Sequence, residues 1–147
     1  IYVRETRRIN GEYYITEEDV MEGRQFDDGI TSCGYMIDVH PLDKSETGRY
    51  ENHPPFDIPY RALVPLKIEN LLVAGRCISS DRVAQSALRI GGTCMSTGEA
   101  AGTAAALSIQ ENLKPREIDG KFIRKALEEQ GVFIRPEIST TPEKCMF

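Results

Sequence analysis

The sequence predicts an α+β fold, and three observations carry that reading. Short runs rich in β-branched and aromatic residues lie in the first forty positions. A continuous apolar run, Leu71-Leu72-Val73-Ala74-Gly75, reads as a strand covered on both faces. A small-residue helix and a second, amphipathic helix follow it, each with its own start and stop residues. The chain has 147 residues, 28% charged and 40% hydrophobic, enough for one globular core. Its net charge of −5 leaves no basic surplus to neutralise phosphates, so nucleic acid is excluded as the main partner. No apolar run approaches the roughly 18 residues of a spanning helix, so no membrane partner is expected.

Taken in order, Tyr2–Thr6 and Tyr13–Ile15 read as two strands, and Asn10-Gly11 between them as a tight turn. Thr16-Glu17-Glu18-Asp19 has the form of a capping box, predicting a short helix through Glu22 that stops at Gly23. Ile30–Val39 reads as a strand. Pro41 to Pro59 reads as loop, with five prolines and glycines among charges, and Pro59–Pro65 as a short extended piece. After the apolar run, Arg76–Arg89 reads as a polar connection. Gly91-Gly92 then leads into a helix over roughly Thr93–Gln110, with Thr93, Ser96 and Thr97 as alternative caps. Its face of Gly98, Ala101, Gly102 and Ala105 is nearly bare, so it is expected to lie tightly on the sheet containing Leu72 and Val73. Pro115 and Asp119 introduce the last helix, with Phe122, Ile123, Ala126 and Leu127 at helical spacing and Gly131 as its stop.

Four cysteines, Cys33, Cys77, Cys94 and Cys145, are widely spaced and read as reduced, structural residues. With His40 and His53 they show no metal-ligand spacing, so no metal site is expected. The chain begins at Ile1 without Met, which predicts a piece of a longer protein. The charges of Arg4, Glu5, Arg7 and Arg8 interrupt any leader there; the compartment stays open, with a cytoplasmic one favoured.

The segment from Asn70 to Leu107 carries the chemistry: an apolar run, a glycine turn with Arg76, a polar stretch, Arg89, a double glycine and a helix start. Glycines permit close backbone approach. A helix start presents unpaired N–H groups and a partial positive charge, which suit an anionic or electron-accepting group. Arg76 and Arg89 add fixed charges able to grip carboxylates or phosphates. Neither G-x-G-x-x-G nor G-x-x-x-x-G-K-[ST] occurs, so the pattern alone is equally an ordinary strand–helix unit.

Three stretches also carry a resemblance. They are Arg4–Ile9 with Gly11-Glu12-Tyr13 and Thr16–Val20; Asp57-Ile58-Pro59-Tyr60-Arg61-Ala62-Leu63-Val64-Pro65; and Asn70–Ser79 continued by Ser86–Arg89, Thr93-Cys94-Met95 and Gly98–Ala106. In this order they resemble the C-terminal part of FAD-dependent oxidoreductases of the glutathione-reductase-like flavoprotein superfamily. The similarity is nearest to a bacterial family whose members are sometimes labelled xanthan lyases. The resemblance implies a C-terminal fragment of a two-domain flavoprotein. Residues 1–62 would end a substrate-type β domain, 63–131 would hold the last strand and helices of the FAD domain, and 132–147 would be a tail. It implies that Gly75, Arg76 and Cys77 lie near the FAD ribityl and pyrophosphate. Gly91, Gly92, Thr93, Cys94 and Met95 would bring backbone N–H groups to the flavin ring. Arg89, by similarity to fumarate-reductase-like proteins, would be the catalytic residue facing substrate or flavin.

The missing dinucleotide fingerprint, which grips the adenosine half of the cofactor, implies that this chain binds FAD weakly or not at all by itself. Its partners would be the absent N-terminal FAD-binding half, a small-molecule substrate of the parent enzyme, and other copies of itself through the Leu71–Ala106 region. A binding or structural domain without a cofactor is the rival reading. A lyase would need a positioned acid/base pair, for which the sequence offers no His, Tyr or Lys cluster.

Overall fold

Thr16 opens the first helix, α1 (Glu17–Glu22). In this computed structural model, which describes residue 5 and residues 7–41 and 45–135, the Thr16 hydroxyl accepts from the Asp19 amide at 3.3 Å. The Asp19 carboxylate accepts in return from the Thr16 amide at 2.9 Å. Gly23 ends the helix at φ 63°, a conformation that favours glycine. The expected capping box and stop are therefore both present.

Two antiparallel strand pairs follow. β1 (Gly29–Cys33) pairs with β4 (Phe56–Pro59), aligning Thr31 with Ile58 and Cys33 with Phe56. β2 (Ile37–Val39) pairs with β3 (Arg49–Glu51), aligning Asp38 with Tyr50. The expected strand over Ile30–Val39 is thus broken at residues 34–36, and its halves join different pairs. The expected loop from Pro41 to Pro59 holds β3 and β4; prolines flank the alternating Phe56-Asp57-Ile58 without interrupting it. Tyr60–Leu63 forms a turn of 3₁₀ helix where an extended piece was expected.

Helices α2 (Arg82–Leu88), α3 (Gly91–Gln110) and α4 (Gly120–Glu129) complete the fold. α3 and α4 pack on β1, and α2 packs on β2. Ile15, Ile30, Phe56, Ile58, Leu63, Ile78, Ala100, Ala104, Ile123 and Leu127 belong to one buried cluster. Helices beside short antiparallel pairs make the chain α+β.

Four further expectations are corrected. The Asn10-Gly11 hairpin is absent among the described residues; its first flank, Tyr2–Thr6, lies outside them apart from Glu5. Residues 9–15 instead run between two other segments. Ile9 and Ile15 donate to the Cys77 and Ser79 carbonyls on one side, and Glu12 and Tyr13 to Val64 and Arg61 on the other. Gly11 serves close approach, because a Cβ there would sit 2.8 Å from Ser79 Cβ. Leu71–Gly75 forms no strand: Leu71 is exposed, and Val73 donating to the Leu63 carbonyl at 2.9 Å is the segment's one cross-chain backbone bond before Gly75 among the described residues. A strand needs a ladder, and no strand among the described residues offers one. Arg76–Arg89 contains α2 rather than a plain connection, because Asp81 accepts from the Ala84 amide at 2.7 Å.

The last correction concerns α3, which begins at Gly91 and buries Thr93, Thr97, Ala100, Ala104 and Ser108. Gly98, Gly102 and Ala105 face outward, and a Cβ at either glycine would meet nothing within 4 Å. The bare face therefore does not lie on Leu72 and Val73. The core-facing side uses alanines and hydroxyl residues, whose hydroxyls bond within the helix or to core atoms such as Cys33 Sγ. α4 follows expectation with Ile123 and Leu127 buried, while Phe122 on its outer side is exposed.

Candidate functional site: the Gly75 turn and the start of α3

A short 3₁₀ turn, Gly75–Cys77, lies against the α2–α3 junction. Gly75 sits at φ 71°, which needs glycine, and its amide donates to Thr97 Oγ1 at 3.0 Å. A Cβ on Gly75 would lie 3.7 Å from Cys94 Cβ. Arg76 Nε donates to the Arg89 carbonyl at 3.4 Å. The turn residues Gly75 and Arg76 are thus brought beside Arg89 and Cys94.

The start of α3 is open. Its N-cap, Ile90, provides no side-chain hydrogen bond, and no intrahelical carbonyl reaches the first amides. Gly91 and Gly92 are exposed, with empty space where side chains would stand. Thr93 is buried and turns its hydroxyl inward, 3.7 Å from Cys33 Sγ. Met95 is 73% exposed beside them. A helix of 20 residues places partial positive charge at this unprotected end.

Arg89 is buried, with 7% of its surface exposed. Its Nη2 donates to the Asp38 carbonyl at 2.6 Å and lies 3.3 Å from Asp38 Oδ2. Asp38 Oδ1 is 3.3 Å from His40 Nε2, and the His40 ring meets Tyr50 edge-on at 6.3 Å. The Asp38 amide donates to Ser86 Oγ on α2 at 3.1 Å. Asp38, which sequence reasoning missed, therefore ties β2 to the candidate site. Its signal was a lone carboxylate in a short apolar run, which is indistinguishable in sequence from an outward-facing strand residue.

Cys33, Cys77 and Cys94 are free thiols. Burial pushes the Cys33 and Cys94 thiols above their ordinary range, although Arg76 partly opposes this at Cys94. Among the described residues no three His, Cys, Asp or Glu side chains gather as metal ligands; Cys145 lies outside those residues.

Tyr60 and Arg61 line a separate open cleft of about 530 Å³. Its cations are paired at home: Arg61 with Asp28 at 2.9 Å, Lys121 with Asp27 at 2.8 Å and Arg116 with Glu12 at 3.8 Å. That cleft is electrostatically self-satisfied, whereas the start of α3 is not.

The open helix start, the glycine turn fastened to it and the adjoining arginines fit the chemistry of a flavin-binding surface. The chain belongs to the FAD dependent oxidoreductase family, whose pattern matches residues 1–127. No curated protein and no solved structure matches it. No helix among the described residues is long and apolar enough to cross a membrane.

Proposed function

We propose that this chain provides the flavin-ring side of an FAD-dependent oxidoreductase acting on a small molecule. The uncapped start of α3 is the observation that carries the reading. Gly91 and Gly92 are exposed and a Cβ on either would meet nothing within 4 Å, so a flat ring can approach the amides at this helix start. Reduced flavin carries negative charge near N1 and the adjoining carbonyl, and the bound cofactor would supply hydride acceptance at N5. The helix start would stabilise that charge, with Cys94 and Met95 completing the first turn. The Gly75–Cys77 turn would approach the ribityl and pyrophosphate linker, where Arg76 adds positive charge.

The outward face of Gly98, Gly102 and Ala105 and the Leu71–Ala74 segment, which joins no ladder, would be covered by the remainder of the FAD domain, which would also grip the adenosine half. The sequence holds no G-x-G-x-x-G, so the 147-residue chain binds FAD only weakly by itself.

Quenching of FAD fluorescence tests the reading. The chain should quench weakly but saturably, and Gly92→Leu, whose Cβ would stand in open space, should abolish quenching without lowering Tm. A Gly92→Leu chain that quenches like the parent would refute the placement.

A further inference from the structure

Two crossings join the two strand pairs. Residues 34–36 lead from β1 to β2, and residues 52–55 lead from β3 back to β4. No backbone hydrogen bond links one crossing to the other among the described residues. The side chain of His53 spans the gap. Its Nε2 lies 2.7 Å from the Tyr35 carbonyl oxygen, and its Nδ1 lies 2.8 Å from the Pro54 carbonyl oxygen. The ring is half-buried and meets the buried Phe56 ring at 5.4 Å between centroids, so it is packed rather than free in solvent.

A carbonyl oxygen can only accept. Neutral imidazole has one N–H, so one of the two contacts would set a nitrogen lone pair against an oxygen lone pair. Imidazolium has two N–H groups and serves both carbonyls, and bonds from a charged donor are the stronger kind. The geometry is therefore that of the protonated ring.

The charged groups around the crossings are engaged elsewhere. Glu51 on β3 is paired with Arg49 at 2.6 Å. The end of α1 packs on Pro54, since a Cβ on Gly23 would lie 2.7 Å from Pro54 Cβ, and there Glu22 is paired with Arg24 at 2.7 Å. Arg135 donates to the Pro55 carbonyl and lies 3.3 Å from Asp57 on β4. The buried Cys33 thiol and the exposed Tyr35 phenol are the other titratable groups beside the crossings. Both partners of the His53 ring nitrogens are carbonyls.

We propose that His53 is a proton-operated clasp between the two crossings, closed by the imidazolium and opened when the ring gives up its proton. The sign follows from the count of donors. The clasp is closed on the acid side of the ordinary histidine range, about pH 6.5, and loosens above it. What it steadies is β2, the strand whose Asp38 carbonyl accepts from Arg89 Nη2 at 2.6 Å. Acid therefore firms the support behind Arg89 and alkali loosens it. The clasp stands independently of the flavoenzyme reading.

The ¹³C,¹⁵N-labelled chain, titrated from pH 5 to pH 8, tests it. On the acid side both His53 ring nitrogens should read as N–H. As the ring loses its proton, the carbonyl ¹³C resonance of Tyr35 or of Pro54 should move with it, marking the bond that is lost. Deuterium exchange, corrected for intrinsic rates, should show the Ile37 and Val39 amides opening at least about threefold more often at pH 7.5 than at pH 5.5. His53→Gln, which cannot titrate, should open equally at both. His40→Gln should keep the difference, because His40 faces Asp38 rather than the crossings. Carbonyl resonances that ignore the ring's titration overturn the clasp, as does equal opening at both pH values in the unmodified chain. A difference that survives in His53→Gln, or vanishes in His40→Gln, overturns it too.

Discussion

Asp19→Ala should be among the most destabilising single changes near the start of the chain. The carboxylate is fully buried and serves three donors: the Thr16 amide at 2.9 Å, the Tyr13 hydroxyl at 3.0 Å and Arg24 Nη1. Losing the carboxylate half of the capping box leaves the Thr16 amide without an acceptor and costs about 1 kcal/mol. Leaving the half-buried Tyr13 hydroxyl without an acceptor adds about 1 kcal/mol or more. The Arg24 pair adds little, because Arg24 is largely solvated. The total is about 2 kcal/mol, which for a chain of this size lowers Tm by about 4–8 °C. Urea unfolding followed by circular dichroism measures it, with Thr16→Ala as the reference that loses only the hydroxyl half of the cap, about 1 kcal/mol. If Asp19→Ala costs no more than Thr16→Ala, the carboxylate is a helix cap alone and the three-donor account is wrong.

Burial holds the Tyr60 phenol protonated far above its ordinary range, with the negative charge of Glu12 adding to the effect. Burial likewise raises Tyr13, where Asp19 adds to the shift and Arg24 opposes it. The folded chain thus keeps these protons more tightly than the unfolded one, so stability is full below about pH 10 and falls as pH rises further. Tyr60→Phe should flatten that alkaline decline, measured as urea midpoints from pH 8 to 11, while costing about 1 kcal/mol at neutral pH for the lost bond to the Pro115 carbonyl. Two glycine substitutions should differ in sign. Gly120→Ala places a Cβ 2.5 Å from Asp28 Cβ and 3.1 Å from Tyr60 Cβ, and should cost about 2 kcal/mol or more. Gly102→Ala on the open face of α3 should stabilise the isolated chain by up to about 1 kcal/mol, read as a higher Tm.

Local chemistry was legible in the sequence where one short segment determines the outcome. Thr16 and Asp19 define α1 between themselves, Gly23 and Gly131 take positive φ at helix ends, and Ile123 and Leu127 mark the buried face of α4. What depends on distant partners was not legible. Asn10-Gly11 carries hairpin chemistry, but residues 12–15 find better partners some fifty to seventy positions away. Leu71–Ala74 has strand composition without a ladder to join. The small residues of α3 were expected on the packed side, yet its inward face tolerates threonine and serine because their hydroxyls find acceptors there. At the candidate site, the glycines and arginines were visible as residue types. Their convergence, through Gly75 on Thr97 and Arg76 on the Arg89 carbonyl, rests on contacts 13 and 22 positions apart that no local pattern encodes.

Titration of FAD into the ¹⁵N-labelled chain, followed amide by amide, tests the central claim most directly. The account predicts weak binding with shifts concentrated at Gly91–Met95 and Gly75–Cys77. Shifts centred instead on the Arg61–Lys121 cleft, or a spectrum unmoved at those two segments at millimolar FAD, would contradict it.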